Sequence, residues 1–277
     1  MLGLPVAIGG VGGSGTRVGA ALLGLLGYYI GDDLNDALDN LWFTLLFKRR
    51  SVVSDTESDF RDLAAMFFAR MSGALVLSAK QRERIWQLCD DERQQHPREW
   101  LVGRAESFIA GDHEPIEGVP WGWKEPNTHV VIERLFAIKS DLRYIHFVRH
   151  PLDMALSENQ NQLQTWGSLL LKRDVRVDAR HSLAYWCEAH RRAMTFMSRW
   201  PERTLLVDFD ALCQAPAAAA EAVAALLGLS APDAVLSGIV ELVQPPGSRG
   251  RYRAADLAQF DPADLQYVAA LGYDIRT

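Results

Sequence analysis

The stretch that most constrains this chain is its first turn, Val6-Ala7-Ile8-Gly9-Gly10-Val11-Gly12-Gly13-Ser14-Gly15-Thr16-Arg17. A short apolar run reads as a buried strand, a glycine-dense loop follows, and Val18 to Leu26 reads as a helix packed back on the strand. Strand, glycine loop and helix together aim several backbone N–H groups and a helix N-terminus at one anion. Glycine suits the loop because its backbone must bend sharply and approach a ligand with no Cβ in the way. Ser14 and Thr16 add hydroxyl donors, and Arg17 adds a full positive charge. The expectation is a phosphate-binding loop at the head of an α/β chain, with Gly12, Gly13, Ser14, Gly15, Thr16 and Arg17 around the anion.

The loop is not a nucleoside triphosphatase loop. That pattern needs Gly, four residues, then Gly-Lys-Ser/Thr. Counting from Gly10, the second glycine falls correctly at Gly15, but Thr16 stands where the lysine belongs and Arg17 where the magnesium hydroxyl belongs. The spaced glycines of a dinucleotide loop fit only loosely.

With 277 residues, 48% of them hydrophobic, the chain can bury a large core as one α/β domain. A net charge of −6 with no clustered basic stripe argues against nucleic acid as a partner. The three cysteines, Cys89, Cys187 and Cys213, lie far apart with no CxxC, so they read as reduced, packed thiols. The apolar run Val18 to Ile30 is too short to span a bilayer and no basic segment precedes it, so neither a membrane span nor a signal peptide is expected and the location is cytoplasmic.

Further along, Gly27 to Asn35 reads as a short strand or extended turn ending in Asp32, Asp33 and Asn35. Helical spacing is expected over Asn35–Lys48, over Phe60–Met71 after a start at Ser54 and Asp55, and from Ser78 through Ile85, Trp86 and Leu88 up to the arginine- and glutamine-rich stretch before Pro97. Residues 36 to 113 therefore read as a helical insertion that covers the nucleotide edge and shapes an acceptor pocket. Trp42, Phe43, Trp86, Trp100 and Trp166 are candidates to line that pocket, although aromatic residues at helical spacing are more often core. Strand–helix alternation resumes with Gly122–Lys124, a helix Thr128–Lys139, a strand Arg143–Val148 and a helix from about Leu152 to Gln162. A long helix Ser182–Arg199, a strand Thr204–Phe209, an alanine-rich helix Ala217–Leu227, a Pro/Gly/Arg loop over Gln244–Arg253 and a terminal helix Pro262–Leu271 follow. This is a three-layer α/β pattern: a central parallel sheet with helices on both faces.

Four stretches then carry a resemblance. Tyr144-Ile145-His146-Phe147-Val148-Arg149-His150-Pro151 sets an arginine at a strand end, and Ser157 follows in the next expected helix. Guanidinium and hydroxyl can there meet one anion. This arrangement looks like the 3′-phosphate site of the sulfotransferase family, which uses 3′-phosphoadenosine-5′-phosphosulfate (PAPS) as donor. The Ser14-Gly15-Thr16 loop resembles that family's 5′-phosphosulfate loop. Trp123-Lys124-Glu125-Pro126-Asn127-Thr128-His129 is similar to a segment of bacterial members, and Ser248-Arg249-Gly250-Arg251-Tyr252 looks like the basic loop that closes over the nucleotide.

The resemblance implies a P-loop-like nucleotide fold, transfer of the sulfuryl group of PAPS to a hydroxyl or amine of a small-molecule or saccharide acceptor, and release of 3′-phosphoadenosine 5′-phosphate (PAP) without a metal. Arg149 and Ser157 would hold the 3′-phosphate, with Arg249, Gly250 and Arg251 closing over it. The family's basic residue before Ser-Gly is replaced by Gly13, so the charge on the leaving group falls to Lys124 first and Arg17 second. The histidine that cytosolic members carry after that lysine is replaced by Pro126. Some members use a carboxylate beyond the loop as base, and Asp33 is the first candidate here, Asp32 the next, with Glu125 and His129 in reserve. Two acids after a glycine can also merely cap a helix. Asp153 is expected to pack or cap near its strand end, and Asp208 and Asp210 to be structural. The rival readings are a kinase-like phosphotransferase with Asp208 on magnesium, which the broken lysine position opposes, and a nucleotide binder without catalysis.

Overall fold

A computed structural model of the chain describes residues 3–93, 95–110 and 118–276. Its centre is a parallel sheet of four strands, β1 (Val6–Gly10), β2 (Gly122–Lys124), β3 (Arg143–Val148) and β4 (Thr204–Asp208), in the order β2-β1-β3-β4. The strands are short and almost continuously apolar because helices cover both faces of a parallel sheet. Alternation sends Val6, Ile8, Ile145 and Phe147 into one core and Ala7, Trp123 and Tyr144 into the other.

The first face is covered by α1 (Thr16–Leu25), α11 (Pro216–Leu226) and α12 (Asp233–Leu242). Between α1 and β2 the chain runs through α2 (Leu41–Phe47), α3 (Glu57–Met71), α4 (Ala79–Gln87) and α5 (Arg98–Ala110), which pack on the second face. There they join α6 (Thr128–Ile138), α8 (Asn161–Leu171) and α9 (Ala179–Met197). The short α7 (Pro151–Ala155) and α10 (Phe209–Gln214) follow β3 and β4, and α13 (Pro262–Ala270) packs on α9. Among the described residues no helix is long and apolar enough to cross a membrane.

Two helices differ from expectation. The one expected from Asn35 begins only at Leu41, because Asn35 Oδ1 accepts the N–H groups of Ala37 and Asp39 in a tight turn and Asn40 caps the helix by accepting from Phe43 N–H. The one expected over Leu152–Gln162 is broken into α7 and α8. Gln160 Nε2 donates to the carbonyls of Met154, Ala155 and Ser157 at 3.4, 3.3 and 2.6 Å, satisfying acceptors that a continuing helix would have used. Ser157 thus lies beyond α7 and not within a helix. Helix α12 has no counterpart among the expected elements. The expected end of the insertion at residue 113 lies outside the described residues. Of the aromatic pocket candidates, Trp42, Phe43 and Trp166 are buried in the core.

Candidate active site

The glycine loop leaves β1 at the C-terminal edge of the sheet, where ligands of open α/β folds bind. Ser14 N–H closes the loop on Val11 O at 3.1 Å. Among the described residues, no hydrogen bond is recorded from the N–H groups of Gly12, Gly13, Gly15, Thr16 and Arg17, as expected for a helix N-terminus open to an anion. The Ser14 side chain is fully buried, and its Oγ finds no partner among the described residues. Gly15 has φ +89°, and a Cβ there would lie 2.1 Å from Phe209 Cδ2, so only glycine fits. Gly13 has φ +90° with Met154 Cε 3.5 Å from a Cβ position. Room exists, but the left-handed backbone favours glycine there. Arg17 is exposed on the first turn of α1.

The adjacent strand end forms a second cradle. Arg149 is 6% exposed; one Nη donates to Ser248 Oγ at 2.9 Å, while its Nε has no partner among the described residues. The loop carrying Ser248 is fastened by Asp153, a buried carboxylate that accepts Gly250 N–H at 2.6 Å and Tyr252 N–H at 3.1 Å. Asp153 therefore ties a distant loop to α7 and does not serve as a local cap. Arg251 donates to Leu156 O at 3.1 Å, which sets it beside Ser157. Arg249 lies 3.2 Å from Asp210, whose other oxygen accepts His150 N–H. The structure thus joins Arg149 to the loop Ser248–Arg251, while Ser157 follows the carbonyl that holds Arg251 and its Oγ accepts Asn159 N–H at 3.3 Å. Asp208 caps α10 through Ala211 N–H and accepts the Tyr273 hydroxyl.

Lys124 pairs with Ile8 in the sheet register, and Glu125 N–H and Pro126 O carry the ladder on to Ile8 and Gly10. The Lys124 ammonium is buried and donates to Asp39 and to Ala37 O. Glu125 is buried and accepts from Asn127 N–H and Nδ2; burial raises its pKa, opposed by Lys48 at 3.7 Å. Asp33 faces α5, where Arg104 donates to it at 2.8 Å; burial raises its pKa against the pull of that guanidinium. Asp32 accepts the Tyr29 hydroxyl at 2.7 Å. Among the described residues, the Asp33 carboxylate pairs with Arg104 and not with the glycine loop. His129 is half-buried with its Nε2 3.4 Å from the Tyr185 hydroxyl, and desolvation lowers its pKa to about 4. Gln162 joins this group to the loop by donating to Gly10 O at 3.2 Å.

Gln162 and Asp39 carry no sequence signal that would single them out, and nothing in the sequence pairs Asp153 with the loop or Arg149 with Ser248. Their partners lie far along the chain, 97 residues for Asp153 and Gly250.

Solved structures with the same fold cover nearly all of this chain. The sulfotransferase domain from the Synechococcus PCC 7002 olefin synthase is 15% identical with a TM-score of 0.50, over 98% of this chain and 94% of that one. The sulfotransferase domain from the curacin biosynthetic pathway is 14% identical with a TM-score of 0.51, over 99% of each. Sulfotransferase STF9 from Mycobacterium avium is 14% identical with a TM-score of 0.50, over 100% of this chain and 78% of that one. No curated protein sequence matches. The profile of the sulfotransferase family matches residues 5–233, and the chain belongs to that family.

Proposed function

We propose that the protein transfers the sulfuryl group of PAPS to an acceptor and releases PAP. The observation that carries this reading is the pair of anion cradles at the ends of the adjacent strands β1 and β3. One is a glycine loop whose buried Ser14 hydroxyl has no partner among the described residues; the other is a buried arginine, Arg149, whose Nε has none among them either. A nucleotide with phosphates at both its 5′ and 3′ positions suits two such cradles.

When bound, PAPS supplies the sulfuryl group and a phosphate leaving group. The open N–H groups of the loop and α1, with Ser14 and Thr16, hold the 5′ end; Arg149, Ser157 and the loop Arg249–Arg251 hold the 3′-phosphate. Lys124 offers the positive charge that Gly13 cannot. In this reading Asp39 keeps the ammonium charged and aimed until the anion enters. Positioning and electrostatic stabilisation of charge on the leaving oxygen then carry the rate, as in phosphoryl transfer.

Calorimetric titration tests the donor. Wild type should bind PAP, and Arg149→Ala should bind it about 10- to 100-fold more weakly, the loss of a charged hydrogen-bonding partner. Binding of ATP with magnesium in place of PAP would instead favour the kinase-like reading. Lys124→Ala should lose about 10²–10³ in turnover with labelled PAPS while keeping most PAP affinity. Unchanged turnover would move the leaving-group charge to Arg17.

A further inference from the structure

Helix α13 is anchored on α9: Val268 is fully buried, and the Tyr267 hydroxyl meets His190 Nδ1 at 2.9 Å. Past the helix end, Gly272 at φ +88° turns the chain back, its N–H donating to Ala269 O and that of Tyr273 to Val268 O. The turn delivers Tyr273 and Asp274 to the ends of β3 and β4. Tyr273 packs edge-on against Trp186, centroids 6.1 Å apart, and its hydroxyl donates to Asp208 Oδ2 at 2.8 Å. Burial, and then the Asp208 carboxylate, raise the pKa of that hydroxyl and keep it a donor.

His150, the residue after Arg149, receives this segment. Its ring lies edge-on to Tyr273 at 5.2 Å, and its Nε2 donates to Asp274 O at 2.9 Å. A carbonyl only accepts, so the proton of this bond belongs to the imidazole. The face of the same ring stacks on Tyr252, centroids 4.1 Å apart and planes 9° from parallel. Tyr252 is 2% exposed and belongs to the loop whose Ser248 accepts from Arg149. The His150 N–H donates to Asp210, the carboxylate that also pairs with Arg249. Asp153 fixes the backbone of this loop, and the His150 ring gives it a second hold, on the Tyr252 side chain. The orientation of one imidazole is therefore set by Tyr273 and Asp274 on one side and passed to the basic loop on the other.

The glycine loop does not depend on this chain of contacts. Phe209, which fills the space beside Gly15, is the first residue of α10. Asp208 caps that helix with its other oxygen, so the cap survives loss of the tyrosine hydroxyl.

Building on the PAPS reading, we propose that Tyr273 and Asp274 are positioning residues for the 3′-phosphate. Through His150 they hold the loop Ser248–Tyr252 against Arg149. Affinity for the 3′-phosphate of a nucleotide depends on them, and affinity for its 5′ end does not.

The test titrates the full chain with PAP and with 5′-AMP, which lacks only the 3′-phosphate. Tyr273→Ala and His150→Ala should each weaken PAP about 5- to 20-fold and 5′-AMP by less than about 2-fold. Tyr273→Phe keeps the ring and its packing; it should weaken PAP less than Tyr273→Ala does, at an unchanged melting temperature. Because both residues act through one contact, the double variant His150→Ala with Tyr273→Ala should bind PAP no more weakly than the poorer single variant. This cycle reads the coupling from PAP alone. A merely structural role would lower PAP and 5′-AMP affinity together, and that result overturns the proposal. So does unchanged PAP affinity in the single variants, or losses that add in the double variant. A wild type that binds PAP no more tightly than 5′-AMP has no 3′ cradle to position, which also overturns it. Failure of wild type to bind PAP at all overturns the donor reading itself, and this inference falls with it.

Discussion

Gly15 shows how little space the glycine loop leaves. Its Cβ position falls 2.1 Å from a ring carbon of Phe209, a buried side chain just after β4, and its φ of +89° disfavours any side chain. Gly15→Ala combines overpacking with backbone strain and should cost about 2–4 kcal/mol, read as a lower urea midpoint together with loss of PAP binding. Gly24 is the contrast. It sits exposed in α1, and nothing lies within 4 Å of its Cβ position. Gly24→Ala should therefore raise stability by about 0.5–1 kcal/mol and leave nucleotide affinity alone. The loop and the helix that follows it thus hold glycines of opposite tolerance, and the neighbouring atoms decide which is which.

At the scale of elements, α7 and the loop Ser248–Tyr252 act as one unit through Asp153. Two backbone N–H groups donate to a carboxylate that is 1% exposed, so Asp153→Ala leaves both without their acceptor. It should lower stability by about 2–4 kcal/mol, speed proteolysis within residues 244–253 and weaken PAP binding without changing the β1 loop. Unchanged proteolysis would mean the loop is held by Arg251 and Arg149 instead. The loop and α7 were each visible in the sequence, but the carboxylate that joins them was not. Strands β1 and β3 were legible because a parallel strand buried on both faces runs largely apolar, and the edge strand β4 carries a similar apolar run although Leu206 is exposed. Helix starts depended on single side chains: Asn35 and Asn40 delay α2, and Gln160 ends the turn after α7, effects that apolar spacing does not record. The glycine loop and the arginine at the end of β3 were likewise legible as local motifs, whereas the settings of Lys124 and Asp33 were fixed by Asp39 and Arg104, which no motif marks.

Across the whole molecule, the end of the sheet that carries the site rests on a buried polar row. Tyr144 and His146 meet at 2.6 Å, His129 lies near Tyr185, and Gln162 links the row to Gly10 O. Burial lowers His129 to a pKa of about 4 and His146 well below its ordinary value. An unfolded histidine titrates near 6.5, so between about pH 6.5 and 4 the unfolded chain takes up protons that the folded chain refuses. Stability from these imidazoles is therefore complete above that window and is lost as pH falls through it. Glu125 and Asp33 act in the opposite sense, since their raised pKa values let the folded chain take up protons first as pH falls. A difference measurement separates the two. The gap in unfolding free energy between wild type and His129→Gln should be widest at neutral pH and shrink by on the order of 3 kcal/mol by pH 4. The carboxylates are common to both proteins and cancel. A gap that stays constant with pH would mean the imidazole is not held neutral by its burial, and the polar row would then be a titrating element behind the phosphate loop instead of a fixed support for it.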